Sequence, residues 1–137
     1  MASAPLTPNE RRAYLLGRRS FQRGDDQTAL RQLRAFVRTR RGYADVHYML
    51  GVLLERRNEG AEAARSFTQA LRINPDYAEA RLALASLYER QGDFDRSREI
   101  TENAGRRQAP RAGVLDPTTR GKLADMQAAL GDTYREV

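Results

Sequence analysis

The chain has 137 residues, of which 40% are hydrophobic and 31% charged, with a formal net charge of +6. It has no cysteine and a single histidine, His47. That excludes disulfides, thiolate metal sites, a cysteine nucleophile, a histidine metal cluster and a Ser-His triad within one chain. No apolar run approaches the ~18 residues of a membrane span, and the start, MASAPLTPNERRAYLL, lacks the basic-then-apolar order of a secretory signal. The expected compartment is therefore the cytoplasm, or the periplasm if a signal has been removed.

The charge is unevenly placed. Residues 10–43 hold ten Arg against three acids, while 44–77, 78–111 and the remainder are each within one charge of neutral. Arg outnumbers Lys by 23 to one (Lys122), a ratio for which the codon bias of a GC-rich genome is one explanation. Codon bias does not explain the clustering.

In chain order, residues 1–6 are expected to be a disordered tail. Thr7-Pro8-Asn9-Glu10 reads as a helix start: Thr7 suits the cap, Pro8 the first turn, and Glu10 closes a capping box. The helix should run to about Arg23 and stop at Gly24. Asp25 or Asp26 then caps a second helix that ends near Arg40, before Gly42.

The stretch from Ala44 to Tyr77, ADVHYMLGVLLERRNEGAEAARSFTQALRINPDY, is the best-formed part of the pattern. Leu50-Gly51, Leu54, Ala63, Phe67, Ala70 and Pro75 alternate small and large residues at the offsets that two close-packed antiparallel helices require. Shifted back by 34, the pattern falls on Leu16-Gly17, Ala29, Leu33 and Phe36, departing at Ser20 and Arg41. Shifted forward by 34, it falls on Leu84-Ala85, Tyr88 and Ala104. Gly24, Asn58 and Gly92 occupy the same turn in the three copies, and all tolerate the left-handed conformation of a helix stop.

The third copy weakens where Ser97, Thr101 and Arg107 replace Ala63, Phe67 and Ile73, so helix 94–107 should bury less apolar surface; Pro110 lies one place late. Residues 108–116 read as a loop. Asp116-Pro117 restarts a helix in which Leu130-Gly131 and Tyr134 repeat the Leu-Gly-x-x-Tyr spacing. A fourth unit would start at Ala124, after an insertion at 112–123. Two readings stand, a capping helix that closes the stack or a repeat array that continues. The retained internal signature favours the second, because a cap needs a polar outer face.

These residues and their 34-residue period resemble the tetratricopeptide-repeat family. The resemblance divides 1–137, taken as a single domain, into a tail and cap (1–9), repeats at 10–43, 44–77 and 78–111, and an insertion with half of a fourth repeat at 112–137. It implies an all-α, right-handed solenoid of antiparallel helix hairpins with a long C-terminal helix. Gly51 and Ala63 would let the two helices of a repeat approach, Leu50, Leu54 and Phe67 would fill the space between them, and Ala70 would leave room for the next repeat. His47 stands where Trp is usual, a packing position rather than a catalytic one.

The family's groove-facing positions fall on Arg11, Tyr14, Arg18 and Phe21 in the first A helix, on Asp45, Tyr48, Val52 and Glu55 in the second, on Glu79, Leu82, Ser86 and Glu89 in the third, and on Asp125, Ala128 and Asp132 in the fourth. Tyr14, Tyr48 and Leu82 make an apolar row with Val52 beside it, between arginines at one end and acids at the other. The implied function is a non-catalytic scaffold, expected from a bacterial assembly system, that binds a peptide or helix of a protein partner in the groove. The competing reading is that some of these side chains pack against neighbouring helices. Members that clamp a C-terminal carboxylate use Lys and Asn where this chain has Tyr14, Arg18, Val52, Leu82 and Ser86. Only Arg18 suits that role, which argues against a carboxylate clamp.

Two further expectations concern other surfaces. An end of the stack left open at the C-terminal side would favour self-association into a homo-oligomer. The arginines of the first repeat (Arg11, Arg12, Arg18, Arg19, Arg23, Arg31, Arg34, Arg38, Arg40, Arg41) form either an anion-binding patch for nucleic acid or lipid, or a solvated terminal face. The absence of interleaved aromatics argues against nucleic acid. Asp25-Asp26 and Asp93/Asp95 fall in turns, where carboxylates cap helices. No acid-base pair, phosphate-cradling loop, metal or cofactor site is expected.

Overall fold

A computed structural model describes residues 4–102. Five helices are α1 (Pro8–Arg23), α2 (Asp26–Thr39), α3 (Ala44–Arg56), α4 (Gly60–Ile73) and α5 (Ala78–Arg90). Residues 94–102 are the described part of a sixth, α6. Expectations for Ala104, Arg107 and Pro110, for the 108–116 loop and 112–123 insertion, and for the C-terminal helix with Leu130-Gly131, Tyr134, Asp125, Ala128 and Asp132 lie outside the described residues. The chain divides into two compact units, Met1–Leu87 and Tyr88–Val137.

Side-chain caps set the starts of α1 and α2, whereas α3 and α4 begin after Tyr43 and Glu59 without a side-chain cap. The Thr7 hydroxyl accepts from the Glu10 amide at 3.1 Å, and the Glu10 carboxylate accepts from the Thr7 amide at 2.9 Å, which satisfies two otherwise orphaned donors. The Asp25 side chain accepts from the Thr28 amide at 3.3 Å to start α2. Gly24, Asn58 and Gly92 have φ of 82°, 61° and 80°, so the three equivalent turns share one left-handed conformation. After α4, the Asn74 side chain accepts from the Asp76 amide at 3.2 Å. Pro75 follows at once and cannot continue a helix.

Within the first unit α1 packs on α2, α3 on α4, and α2 on α3 joins the two hairpins. Close approach within each hairpin depends on a missing side chain. A Cβ on Gly17 would lie 2.6 Å from Leu33 Cδ2, and one on Gly51 would lie 2.5 Å from Phe67 Cε1. Ala29, Leu33, Leu53, Ala63, Phe67, Ala70 and Ala80 are fully buried, with Phe36 and Leu84 nearly so. The hairpins fill the same space differently. The first uses Leu33 and Phe36, and the second uses Phe67 and Ala70, so the aromatic ring moves by one turn. Ser20, standing where Leu54 stands in the second repeat, is buried all the same.

Arg40 revises the expectation for the N-terminus. It donates to the Ala4 and Pro5 carbonyls at 2.7 and 2.8 Å and to both Glu10 carboxylate oxygens. The start of the chain from Ala4 is thereby tied to the end of α2.

In the second unit, Asp93 caps α6 by accepting from the Arg96 amide at 3.2 Å. Phe94 is 62% exposed, and Ser97 is the buried side chain of residues 94–102. This agrees with the weak apolar pattern there.

Candidate functional site

The residues expected to form a groove divide into three groups. The first is brought together around Tyr14. Its hydroxyl donates to the Asp45 carboxylate, which joins α1 to α3, and its ring packs on Phe36 and Tyr43 at centroid distances of 5.3 and 5.9 Å. Phe36 and Tyr43 meet edge to face at 5.0 Å. Burial, and then the hydrogen bond to Asp45, push the Tyr14 phenol up from its ordinary value, while nearby Arg18 opposes the shift. Arg18 itself is exposed.

The second group surrounds Tyr48. Its ring packs on Phe67 at 5.9 Å and on Tyr77 at 5.4 Å. The Tyr77 phenol is pushed up by burial and then by the negative charges of Glu79 and Asp45. Asp45 and Glu79 therefore lie near one aromatic cluster. Tyr14 with Phe36 and Tyr43, and Tyr48 with Phe67 and Tyr77, are two versions of one arrangement, 34 residues apart except for the displaced Phe. Tyr43 and Tyr77 were not among the expected groove residues. Their own 34-residue spacing and their common distance after Tyr14 and Tyr48 are the signals that could have found them.

The third group is not gathered into either cluster. Phe21 is half-buried beneath the Arg56 guanidinium at 5.4 Å, and Arg56 is held by Asp26 at 2.8 Å. Leu82 is 42% exposed and Ser86 is exposed, while Val52 and Glu55 are half-buried. Arg11 lies apart from the aromatic clusters, lining an open depression of about 560 Å³ with Pro8, Arg12, Leu15, Leu16 and Arg19. Glu89 belongs to the second unit, where it accepts from the Ser97 hydroxyl at 3.1 Å.

The arginine cluster is partly spent on internal pairing. Besides Arg40 with Glu10, Arg34 pairs with Glu62 at 3.1 Å and ties α2 to α4. Arg11, Arg12, Arg18, Arg19, Arg23, Arg31, Arg38 and Arg41 are exposed. His47 is half-buried, with Nε2 2.9 Å from the Arg41 carbonyl oxygen. Asp25 caps α2 as expected, whereas Asp26 lies in the first turn of α2 and pairs with Arg56 instead of capping. Among the described residues no group of three or more His, Cys, Asp or Glu is placed to hold a metal. No described helix is long and apolar enough to cross a membrane.

Comparisons with known proteins agree with the repeat architecture. Two tetratricopeptide-repeat family models match residues 14–73 and 56–112. A probable biofilm formation methyltransferase, WspC, of Pseudomonas putida is 35% identical over 63 residues, 46% of this chain and 15% of that protein. Crystal structures of MamA superpose with TM-scores of 0.68 and 0.71 at 23% identity, covering 76% and 79% of this chain and 61% of each MamA chain. A MamA variant superposes at 0.67 with 25% identity over 75% of both chains. The chain thus spans under two thirds of the length of those first two structures and a small fraction of the methyltransferase. With two family models overlapping across residues 14–112 and helix hairpins repeating in the same register, the chain belongs to the tetratricopeptide-repeat family.

Proposed function

We propose that the protein is an interaction scaffold that holds an extended or helical segment of a partner protein against the A-helix face of its first unit. Tyr14, Arg18, Phe21, Asp45, Tyr48, Val52, Glu55, Glu79, Leu82 and Ser86 are the residues assigned to that face, with Arg11 at its edge beside the depression on α1. The observation that carries the reading is the pair of aromatic clusters around Tyr14 and Tyr48. Packing holds each ring rigid yet only half-buried, and a rigid, partly exposed aromatic is a low-entropy anchor for a peptide. Leu82 extends the row with an exposed apolar side chain. Family membership supports an interaction role in general, and the half-buried row supports its location.

The test uses residues whose loss leaves the fold intact. Peptides selected from a random 12-residue display library against the whole chain would be measured by fluorescence anisotropy. Leu82→Arg and Ser86→Arg, both at exposed positions, should weaken the selected peptides at least tenfold without changing the thermal midpoint. Peptides that bind both variants as tightly as wild type would refute the groove.

A further inference from the structure

Outside the groove, the outer face of α1 carries an unexplained pair of leucines. Leu15 is 54% exposed and Leu16 is 38% exposed. They lie with Pro8, Arg11, Arg12 and Arg19 around the open depression on that helix. Their counterparts 34 residues on, Met49 and Leu50, are 6% and 5% exposed. The difference follows from neighbours: α3 packs on both α2 and α4, whereas α1 packs chiefly on α2. The α3 face that receives the preceding helix also buries Val46 and Leu53 completely, and Arg12 and Arg19 stand at those two places in α1. A face made only to be solvated would have lost the leucines as well. This one keeps the apolar centre of a helix seat and sets an arginine on either side of it.

The pattern is therefore Arg12-x-x-Leu15-Leu16-x-x-Arg19. On a helix its two arginines are two turns, about 10 Å, apart on one face. The same chain contains the complementary pattern, Asp125-x-x-Ala128-Ala129-x-x-Asp132, in a stretch, 123–134, that has no basic residue. The two aspartates recur at the same seven-residue spacing as the two arginines, and small alanines stand at the two places that Leu15 and Leu16 hold in the α1 pattern. We propose that the α1 face is a self-association surface whose occupant is the segment 125–132 of a second copy of this chain. The arginines would set register and orientation and the leucines would supply apolar burial, in an interface small enough to be reversible.

Charge reversal tests the pairing, because Arg12 and Arg19 are exposed and can be changed without touching the core. Light scattering of the whole chain over a concentration series at low salt should show the average mass rising well above 15.5 kDa, without stopping at two copies unless the pairing closes on itself. It should fall back on adding salt, which screens exposed pairs. Arg12→Glu/Arg19→Glu and Asp125→Arg/Asp132→Arg should each weaken association at least tenfold. An equimolar mixture of the two variants should recover it, as should the four changes in one chain. The proposal is overturned if the wild-type mass stays at 15.5 kDa throughout, if either reversal leaves association unchanged, or if the mixture fails to recover it. A wild-type monomer that instead retains a DNA oligonucleotide through Arg12 and Arg19 would also overturn it, and would make the occupant an anionic polymer. Leu82→Arg should leave self-association unchanged, which separates this surface from the groove.

Discussion

The Tyr14 hydroxyl donates to the carboxylate of Asp45, 31 residues later, and so joins the first helix of one hairpin to the first helix of the next. The bond requires a protonated phenol, which burial also favours. Tyr77 is shifted in the same direction. The sign of the linkage follows. A tyrosine whose folded value is raised contributes stability that is present below its unfolded value near 10 and is lost as pH climbs through the folded value. Urea midpoints should therefore fall as pH rises above about 10, where arginines remain charged. Tyr77→Phe should flatten that fall, and Tyr14→Phe should flatten it in part. Tyr14→Phe should also cost about 1 kcal/mol at pH 7, from one part-buried hydrogen bond. Equal alkaline slopes in wild type and Tyr77→Phe would contradict the assignment.

At the acid end, Glu10 controls the response. Hydrogen bonds from Arg40, then from Thr39 and Thr7, hold its carboxyl at about 2, below the ordinary 4.5. Stability from a depressed carboxylate is present above the unfolded value and is lost as pH falls through the folded one. The wild type should thus lose this contribution between pH 4.5 and about 2. Glu10→Gln should lower the thermal midpoint at pH 7 and remove that part of the acid dependence, measured by circular dichroism melts from pH 2 to 7. Because Arg40 also holds the Ala4 and Pro5 carbonyls, Arg40→Ala should speed proteolysis before α1 more than Glu10→Gln does.

Gly51 gives a steric prediction. The Phe67 ring occupies the place of its missing Cβ, at 2.5 Å, and Phe67 is fully buried. Gly51→Ala gains helix propensity of up to ~1 kcal/mol but overpacks the core at a typical cost of about 1–3 kcal/mol. A short contact with a ring that has nowhere to go places this case at the upper end. Net destabilisation by about 1–2 kcal/mol is expected in urea titrations. Phe67→Leu in the same chain should relieve part of it, giving non-additivity in the double-mutant cycle.

How far the sequence could be read depended on whether a feature was local. Thr7 with Glu10, and Gly24, Asn58 and Gly92, act within one turn of chain, and each occupies its expected place. The pairing of small with large residues repeats at 34, so Gly17 against Leu33 and Gly51 against Phe67 were legible as close approaches. Arg40 was not distinguishable from its neighbours in a run of charge. Its pairing with Glu10 spans 30 residues and exists only because α2 returns antiparallel to α1. Arg56 lies over the Phe21 ring although the two are 35 residues apart, a contact that no local pattern signals. Tyr43 and Tyr77 precede the helices to which the groove pattern applies, so that pattern does not include them, although their rings complete both aromatic clusters.

Within the proposed groove, Tyr48 and Leu82 should respond differently to truncation. Tyr48 is half-buried and packs on both Phe67 and Tyr77. Tyr48→Ala removes a ring from that cluster and should cost about 2–3 kcal/mol, below the 3–5 of a fully buried aromatic. Leu82 is 42% exposed, so Leu82→Ala should fall within about 0.5 kcal/mol of wild type in the same urea titration. Loss of peptide binding in Leu82→Ala would then report contact rather than unfolding, whereas loss in Tyr48→Ala would mix the two. Tyr48→Phe, which keeps the ring and removes only the hydroxyl, separates them. It should retain stability to within about 1 kcal/mol, and it should weaken binding only if the partner uses the hydroxyl. If Leu82→Ala destabilised the chain as much as Tyr48→Ala, Leu82 would be a packing residue and the row of contacts would end at α3.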